Sequence, residues 1–219
     1  MSFIKSIKKT DTKINLYKLN KDVIEKQIHG TTLFSNAINL CFIDLETTGL
    51  NKEEDKIIEI ALKTVKIDKA EGNIISFDDK YESFQDPGIE IEEKISLITG
   101  ITDSMVTGHE INWGKVNEIV NNTDIMIAHN ARFDRAFLDR NMPLSKDKIW
   151  ACSVSDIDWL HRGFAKSSLE LLSTWHGFYY ESHRAMNDVD ALIHLLTHPS
   201  YKKNKPVIEL INNSQIPYY

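Results

Sequence analysis

The chain has 219 residues, 42% of them apolar and 26% charged, which suits one well-packed domain with a small appendage. A formal net charge of −6 argues against an extended duplex-binding surface, which is ordinarily basic, but is compatible with an enzyme that grips a few phosphates through metal ions. No apolar run approaches the length of a membrane span, and the lysine-bearing stretch 1–9 lacks the apolar core of a secretory signal. Only Cys41 and Cys152 are present, both in apolar, strand-like settings, so free thiols in a reducing, cytoplasmic setting are expected.

Residues 1–38 form a basic arm in which Lys5, Lys8, Lys9, Lys13, Lys18, Lys21 and Lys26 outnumber Asp11, Asp22 and Glu25. Phe3, Ile4 and Ile7 have helical spacing, and 22–27 could continue as a helix ending at Gly30. This arm reads as an extension packed loosely on the domain, with a phosphate-touching arm as the sharper alternative.

Three strands follow as a meander, at 40–46, 57–67 and 74–84, separated by turn signals at 49–55 and 68–73. A helix is expected over 92–98 with Gly100 as its stop, and another over 113–121. A short apolar strand at 125–128 leads into an amphipathic helix at 130–141 that ends before Pro143. A strand at 149–153 and helices at 154–160, 168–176 and 187–198 complete the domain, and one short helix is expected near 207–212. Strands first, then helix alternating with strand, predicts an α/β sheet of about five strands with helices on its faces.

Asp44 and Glu46 interrupt the first strand, Cys41-Phe42-Ile43-Asp44-Leu45-Glu46, before the turn Thr47-Thr48-Gly49. Residues two apart share a face of a strand, so the two carboxylates project side by side. Anions on an apolar strand are costly to desolvate, and a hard cation such as Mg²⁺ or Mn²⁺ between them resolves the conflict. A solvated acidic edge strand is the competing reading. Asp134 lies in the first turns of a helix fed by a short strand, where ligands gather in α/β sheets; there an acid can also simply satisfy the helix dipole. Asp188 begins the helix whose apolar stripe is Val189, Leu192, Ile193 and Leu196. His183, on the preceding loop, is chemically suited to take a proton from water near neutral pH, although a lone loop histidine is more often only a surface residue. Spacing alone does not pair these distant acids. His29, His109, His161, His176, His194 and His198 read as structural or surface residues. Trp150, Trp159 and Trp175 could stack on bases, but their apolar contexts favour core packing.

Three segments taken together resemble the motifs of the DEDDh-type 3′–5′ exonucleases. They are Phe42-Ile43-Asp44-Leu45-Glu46-Thr47-Thr48-Gly49-Leu50, Ala128-His129-Asn130-Ala131-Arg132-Phe133-Asp134, and His183-Arg184-Ala185-Met186-Asn187-Asp188 with its H-x-A-x-x-D pattern. Ile98-Thr99-Gly100-Ile101-Thr102 resembles a linking segment of the same family, and the bacterial DNA polymerase III epsilon (proofreading) subunit is the nearest likeness. The resemblance implies an RNase H-like mixed five-stranded sheet flanked by helices, with an exonuclease domain over 39–199, an N-terminal extension over 1–38 and a tail over 200–219. It implies two divalent metal ions, Mg²⁺ or Mn²⁺. Asp44 would bridge both, Glu46 and Asp188 would complete the site of the ion that activates the nucleophile, and Asp134 would hold the second ion largely through water. His183 would be the general base, and Thr47, Thr48, Leu50 and Asn130 would seat the terminal nucleotide.

The expected substrate is single-stranded DNA or the 3′ ends of duplex DNA, in proofreading or repair, with RNA trimming as the alternative within the same chemistry. A non-catalytic module that binds nucleic-acid ends or a polymerase is the alternative from another class. A DNA polymerase subunit is one candidate partner. A sliding clamp is another, on a faint likeness of Gln215-Ile216-Pro217-Tyr218-Tyr219 to clamp-docking peptides.

Overall fold

The structure, a computed structural model, describes residues 15–28 and 36–214. A two-residue strand, β1 (Tyr17–Lys18), and a short helix, α1 (Lys21–Glu25), come first; the Asn20 side chain caps α1 by accepting a hydrogen bond from the Val23 amide at 3.1 Å. The three long strands are β2 (Ala37–Thr47), β3 (Ile57–Asp68) and β4 (Ile74–Phe84). Helices α2 (Glu93–Thr99), α3 (Asp103–Val106) and α4 (Trp113–Asn121) lead to β5 (Ile125–Ala128) and α5 (Ala131–Asn141). After one 3-10 stretch at Pro143–Asp147 come β6 (Ile149–Cys152), α6 (Leu169–Trp175), β7 (Phe178–Tyr179), α7 (Ala185–Leu196) and α8 (Pro206–Asn213).

The main sheet has the order β4-β3-β2-β5-β6, antiparallel through its first three strands and parallel from β2 to β5 and β6. This is the mixed five-stranded sheet flanked by helices that the sequence implied. β2 lies in the middle and is buried on both faces, so its apolar residues divide by parity. Leu40 and Phe42 point into one core with Val189, Leu192 and Leu196 of α7. Cys41, Ile43 and Leu45 point into the other with Val116 and Ile119 of α4 and Phe137 and Leu138 of α5. The period-2 geometry therefore puts Asp44 and Glu46 on the α7 side of the strand. The register shifts between Glu46 and Thr47, a β-bulge where the strand hands over to the turn.

Two expectations are corrected in detail. Residues 154–160 form turns instead of a helix. The Asp156 carboxylate accepts from the Cys152 amide at 2.8 Å, and the Trp159 indole donates to the Ser153 carbonyl at 2.6 Å. These side chains offer the backbone non-helical partners while Ile157 and Trp159 are buried. The last core helix begins two residues earlier than 187, with Arg184 as its N-cap. Gly100 closes α2 in the left-handed conformation at φ 70°, as its position predicted. Trp150 and Trp159 are buried in the core, Trp175 is half-buried, and both cysteines are free. The sequence readings at Phe3–Ile7, His29 and Gln215–Tyr219 lie outside the described residues.

Residues 17–28 lie against the body of the domain. β1 pairs in parallel with β7, with the Leu19 amide donating to the Tyr179 carbonyl at 2.9 Å, and Leu19 and Ile24 join the α7 core. Beneath them sits a cluster of three buried histidines. The Tyr17 hydroxyl lies 2.6 Å from His194 Nε2 and 3.2 Å from His198 Nε2; His194 Nδ1 meets Gln27 Oε1 at 2.6 Å, and His198 Nδ1 meets the Ser200 hydroxyl at 2.8 Å. His176 is held between the Leu172 carbonyl and the Tyr201 hydroxyl, both at 2.6 Å, and stacks on Phe164. Burial pushes the pKa of His176 and His194 down to about 4 and that of His198 to about 3.

A histidine with a depressed folded-state pKa binds fewer protons folded than unfolded, so the stability it contributes is lost as pH falls from about 6.5 toward the folded value. Acidification from pH 7 to 4.5 is therefore expected to free β1 and α1 before the main sheet. Amide exchange read as protection factors tests this: Leu19 should lose protection while Phe42 keeps it. Simultaneous loss at one global transition would mean that the cluster is not the weak point.

Candidate active site

Three carboxylates converge where β2 meets the start of α7. Oxygen atoms of Asp44, Glu46 and Asp188 all lie within 4.8 Å of one another. Asp44 and Glu46 arrive from alternate positions on one strand, and Asp188 comes from the first turn of the helix packed on that face. Asp134, in the first turn of α5, is almost fully buried and close enough for its charge to act on Asp44. The sheet thus brings all four sequence-predicted acids into one electrostatic unit, three of them at ligand spacing.

Burial and mutual repulsion disfavour the charged form of all four carboxyls. Burial, then the charges of Asp134, Asp188 and Glu46, hold Asp44 well above the usual carboxylate range. Burial, with Asp188, Glu59 and Asp134 adding to it, lifts Glu46 to about 8, opposed by the Arg184 guanidinium. Burial also raises Asp134, partly offset by backbone hydrogen bonds that include Leu45. Asp188 is raised by burial too. It is restrained by the Tyr180 hydroxyl, which donates to Oδ1 at 2.9 Å, and by the Arg184 amide, which donates to Oδ2 at 3.2 Å. Hard oxygen donors at this spacing, each disfavoured as a bare anion, fit a divalent cation of the Mg²⁺ or Mn²⁺ type.

His183 sits at the rim in the left-handed conformation, φ 62°. Its ring is about half exposed, with Nε2 3.6 Å from Glu170 Oε1 on α6. It is close enough to act electrostatically on Asp188 but lies outside the three-carboxylate group.

The turn after β2 carries the remaining predicted residues. Thr47 Oγ1 donates to the Gly49 carbonyl at 2.6 Å. Thr48 Oγ1 donates to Asp55 Oδ1 at 2.9 Å and accepts from the Lys56 amide at 3.0 Å. Asp55 closes the turn by also accepting from the Asn51 amide at 2.7 Å. A Cβ at Gly49 would stand 2.5 Å from Asp55 Oδ2, so any side chain there would displace the Asp55 carboxylate that closes the turn. Leu50 is 84% exposed. It shares a cleft of about 220 Å³ with Asn130, Lys52, Arg132, Phe133 and Phe137. Asn130, itself left-handed at φ 70°, forms the turn from β5 into α5. Thr47 and Thr48 are buried as the framework of this turn, whereas Leu50 and Asn130 present their side chains to the cleft.

Sequence reasoning missed Tyr180, Glu170, Glu59 and Arg184. Glu59 left a signal, a single charge inside the apolar run Ile57-Ile58-Glu59-Ile60-Ala61-Leu62. Tyr180 and Glu170 left none.

Comparison with known proteins agrees with this geometry. The RNase_T family model, described as exonuclease, matches residues 41–196. The DNA polymerase III PolC-type of Clostridium perfringens is 34% identical over 176 residues, covering 76% of this chain and 11% of that protein. The PolC-type polymerase of Listeria monocytogenes is 33% identical over 166 residues, covering 71% of this chain and again 11% of the relative. The chain therefore spans about a tenth of the length of these curated relatives. Among solved structures, exonuclease X in complex with 5′ overhanging duplex DNA superposes with a TM-score of 0.55 at 25% identity, covering 78% of this chain and 99% of the other. Exonuclease I superposes with a TM-score of 0.59 at 20% identity, covering 78% and 42%, a likeness of fold.

A carboxylate whose folded-state pKa is raised loses its stability contribution as pH rises through that value. Asp44→Asn removes one repelling charge. Without metal at pH 8 the variant is expected to melt about 2–4 °C above the parent, equivalent to about 1 kcal/mol for a domain of this size. The gain should shrink as pH falls and vanish only below about pH 4, where the carboxyl is protonated in the unfolded chain as well. Mg²⁺ should raise the melting temperature of the parent but not of the variant. Calorimetry with and without EDTA checks this, and equal melting temperatures at pH 8 would refute charge repulsion as a source of instability.

Proposed function

Because the chain belongs to the RNase_T exonuclease family, we propose that it is a metal-dependent 3′–5′ exonuclease acting on DNA, of the DEDDh type. The observation that carries this reading is the convergence of Asp44, Glu46 and Asp188 oxygens within 4.8 Å on one side of β2, with Asp134 behind them and His183 at the rim.

In this reading Asp44, Glu46, Asp134 and Asp188 would hold two divalent ions, Mg²⁺ or Mn²⁺. When bound, such ions neutralise the carboxylates, acidify water and stabilise a departing oxygen. The cleft beside Leu50 and Asn130 receives the terminal nucleotide, with Phe133 beneath it and Lys52 and Arg132 available to the phosphate backbone. Thr47 and Thr48 shape the turn against which the sugar lies. His183 accepts a proton from the attacking water on a ring nitrogen, and Glu170 stabilises the resulting imidazolium. Water adds to the terminal phosphorus, the bond to the 3′ oxygen of the penultimate nucleotide breaks, and a nucleoside 5′-monophosphate leaves.

DNA is preferred over RNA because the related polymerases are DNA polymerases and the exonuclease X superposition is to a DNA complex. The same likeness supports a proofreading or repair role, with a polymerase subunit as a candidate partner; a sliding clamp is proposed only on the likeness of Gln215-Ile216-Pro217-Tyr218-Tyr219 to clamp-docking peptides. No helix among the described residues is long and apolar enough to cross a membrane.

A 5′-labelled single-stranded DNA should shorten from its 3′ end in Mg²⁺ or Mn²⁺. Shortening should cease in EDTA and in Asp44→Ala or Asp188→Ala. A matching RNA should be cut more slowly. Binding of DNA in Mn²⁺ without cleavage of either polymer would refute the enzyme in favour of a binding module. His183→Ala should lose most of its rate, roughly 10²–10⁴-fold, while still binding metal. Its pH–rate profile should lose the limb contributed by the base, and a profile matching wild type would remove His183 from that role.

A further inference from the structure

A second charged assembly stands directly behind the carboxylate cluster. Glu59 of β3 is paired across the strands with Glu46, so two acids face one another in the sheet. The Glu59 carboxylate is nearly buried and takes three donors. Arg184 Nη2 donates to Oε1 at 2.9 Å, Arg184 Nε approaches both oxygens at 3.3 and 3.4 Å, and the Ala185 amide donates to Oε2 at 2.9 Å. The Arg184 guanidinium also lies over the Phe84 ring, 5.4 Å from its centroid. Glu59 therefore acts on both members of the dipeptide that opens α7. His183 immediately precedes that dipeptide in a left-handed conformation that a non-glycine residue adopts at a cost. Arg184 also donates its own amide to Asp188.

Arg184 is also within electrostatic reach of Glu46. A guanidinium keeps its charge at any working pH, so once released by Glu59 it would turn to the next carboxylate. We propose that Glu59 and Arg184 form a positioning clamp with two effects: Glu59 fixes the start of α7 so that His183 and Asp188 face Asp44 and Glu46, and it keeps the Arg184 guanidinium from occupying the acidic cluster in place of a divalent ion. The inference rests on the reading of that cluster as a metal site. Neither residue lines the cleft beside Leu50 and Asn130, so both are assigned as positioning residues.

The test uses the full chain with Mn²⁺ as probe. Binding is followed by electron paramagnetic resonance of the free ion, turnover by release of the 3′-terminal nucleotide, and folding by thermal melting. Glu59→Gln keeps the shape and removes the charge. It should weaken Mn²⁺ binding and lower kcat, each by about 10–100-fold, the range found when a group behind a metal ligand is lost. KM for the oligonucleotide should stay near that of wild type. Arg184→Met alone should retain Mn²⁺ affinity and lower kcat. The double variant should recover Mn²⁺ affinity without recovering kcat, which a simple loss of structure would not do. Wild-type affinity and turnover in Glu59→Gln would overturn the clamp, as would equal loss of Mn²⁺ binding in Arg184→Met and the double variant. The metal titration needs no turnover. A wild-type protein that binds Mn²⁺ and cuts nothing thus refutes the exonuclease reading, while the order of Mn²⁺ affinities still decides the clamp's second effect.

Discussion

The repulsion among four carboxylates at the end of β2 is the constraint that the rest of the structure answers to. At an effective dielectric of about 20, two unit charges about 5 Å apart repel by roughly 3–4 kcal/mol. Three such oxygens within 4.8 Å, with a fourth acid buried behind them, would pull apart a site built on mobile segments. These acids stand instead on the stiffest parts of the molecule. Asp44 and Glu46 are on a strand paired with β3 along its length and with β5 up to Phe42, and Asp134 and Asp188 are in first helical turns anchored by Phe137, Leu138, Val189 and Leu192. Burial of that apolar frame holds the carboxyls at a spacing whose repulsion is relieved by protonation or by a cation.

Charge around the site is partitioned. Arg184 lies within electrostatic reach of the cluster, yet it is engaged by the Glu59 carboxylate. Asp188 receives neutral donors, the Tyr180 hydroxyl and a backbone amide, which orient it without neutralising it. Asp134 is served by backbone groups in the same way. The acids are thus aimed before any ion arrives, which spares the reorganisation that a loosely held ligand set would need. The residues proposed to meet a substrate differ: Leu50, Asn130 and His183 sit on turns, two of them at positive φ, within reach of solvent.

How much of this was legible follows from sequence distance. Asp44 and Glu46 were readable from residues alone because a strand's period of two fixes their common face. Asp134 and Asp188 are ordinary first-turn acids in their own helices and joined the site only through the resemblance of three motifs in order. Glu59 was visible as a charge in an apolar run, but its partner lies 125 residues away, beyond any local pattern. The stretch 154–160 was misread because its apolar residues suggested a helix while Asp156 and Trp159 found better partners off the helical path. The β1–β7 pair was invisible because two-residue strands carry no periodicity. His176, His194 and His198 were read as structural or surface residues and are buried, but the meeting of His194 and His198 with Tyr17 depends on elements far apart in the chain.

That convergence bears on the active site through the backbone. The loop carrying His183 runs from β7 to α7. At its far end the Glu59 contacts hold Arg184 and Ala185; at its near end β7 is paired with β1, and Lys18 and Glu181 form an ion pair at 2.6 Å. Tyr180, which orients Asp188, is the first residue after β7. The N-terminal segment thus fixes one boundary of the loop carrying His183, and the neutral histidine cluster fixes that segment. Exposed ion pairs such as Lys18–Glu181 contribute little on their own. The strand pairing and the buried Leu19 and Ile24 are therefore what hold this boundary, and a chain shortened to begin at β2 would keep every carboxylate while leaving the loop that presents His183 tied at one end only.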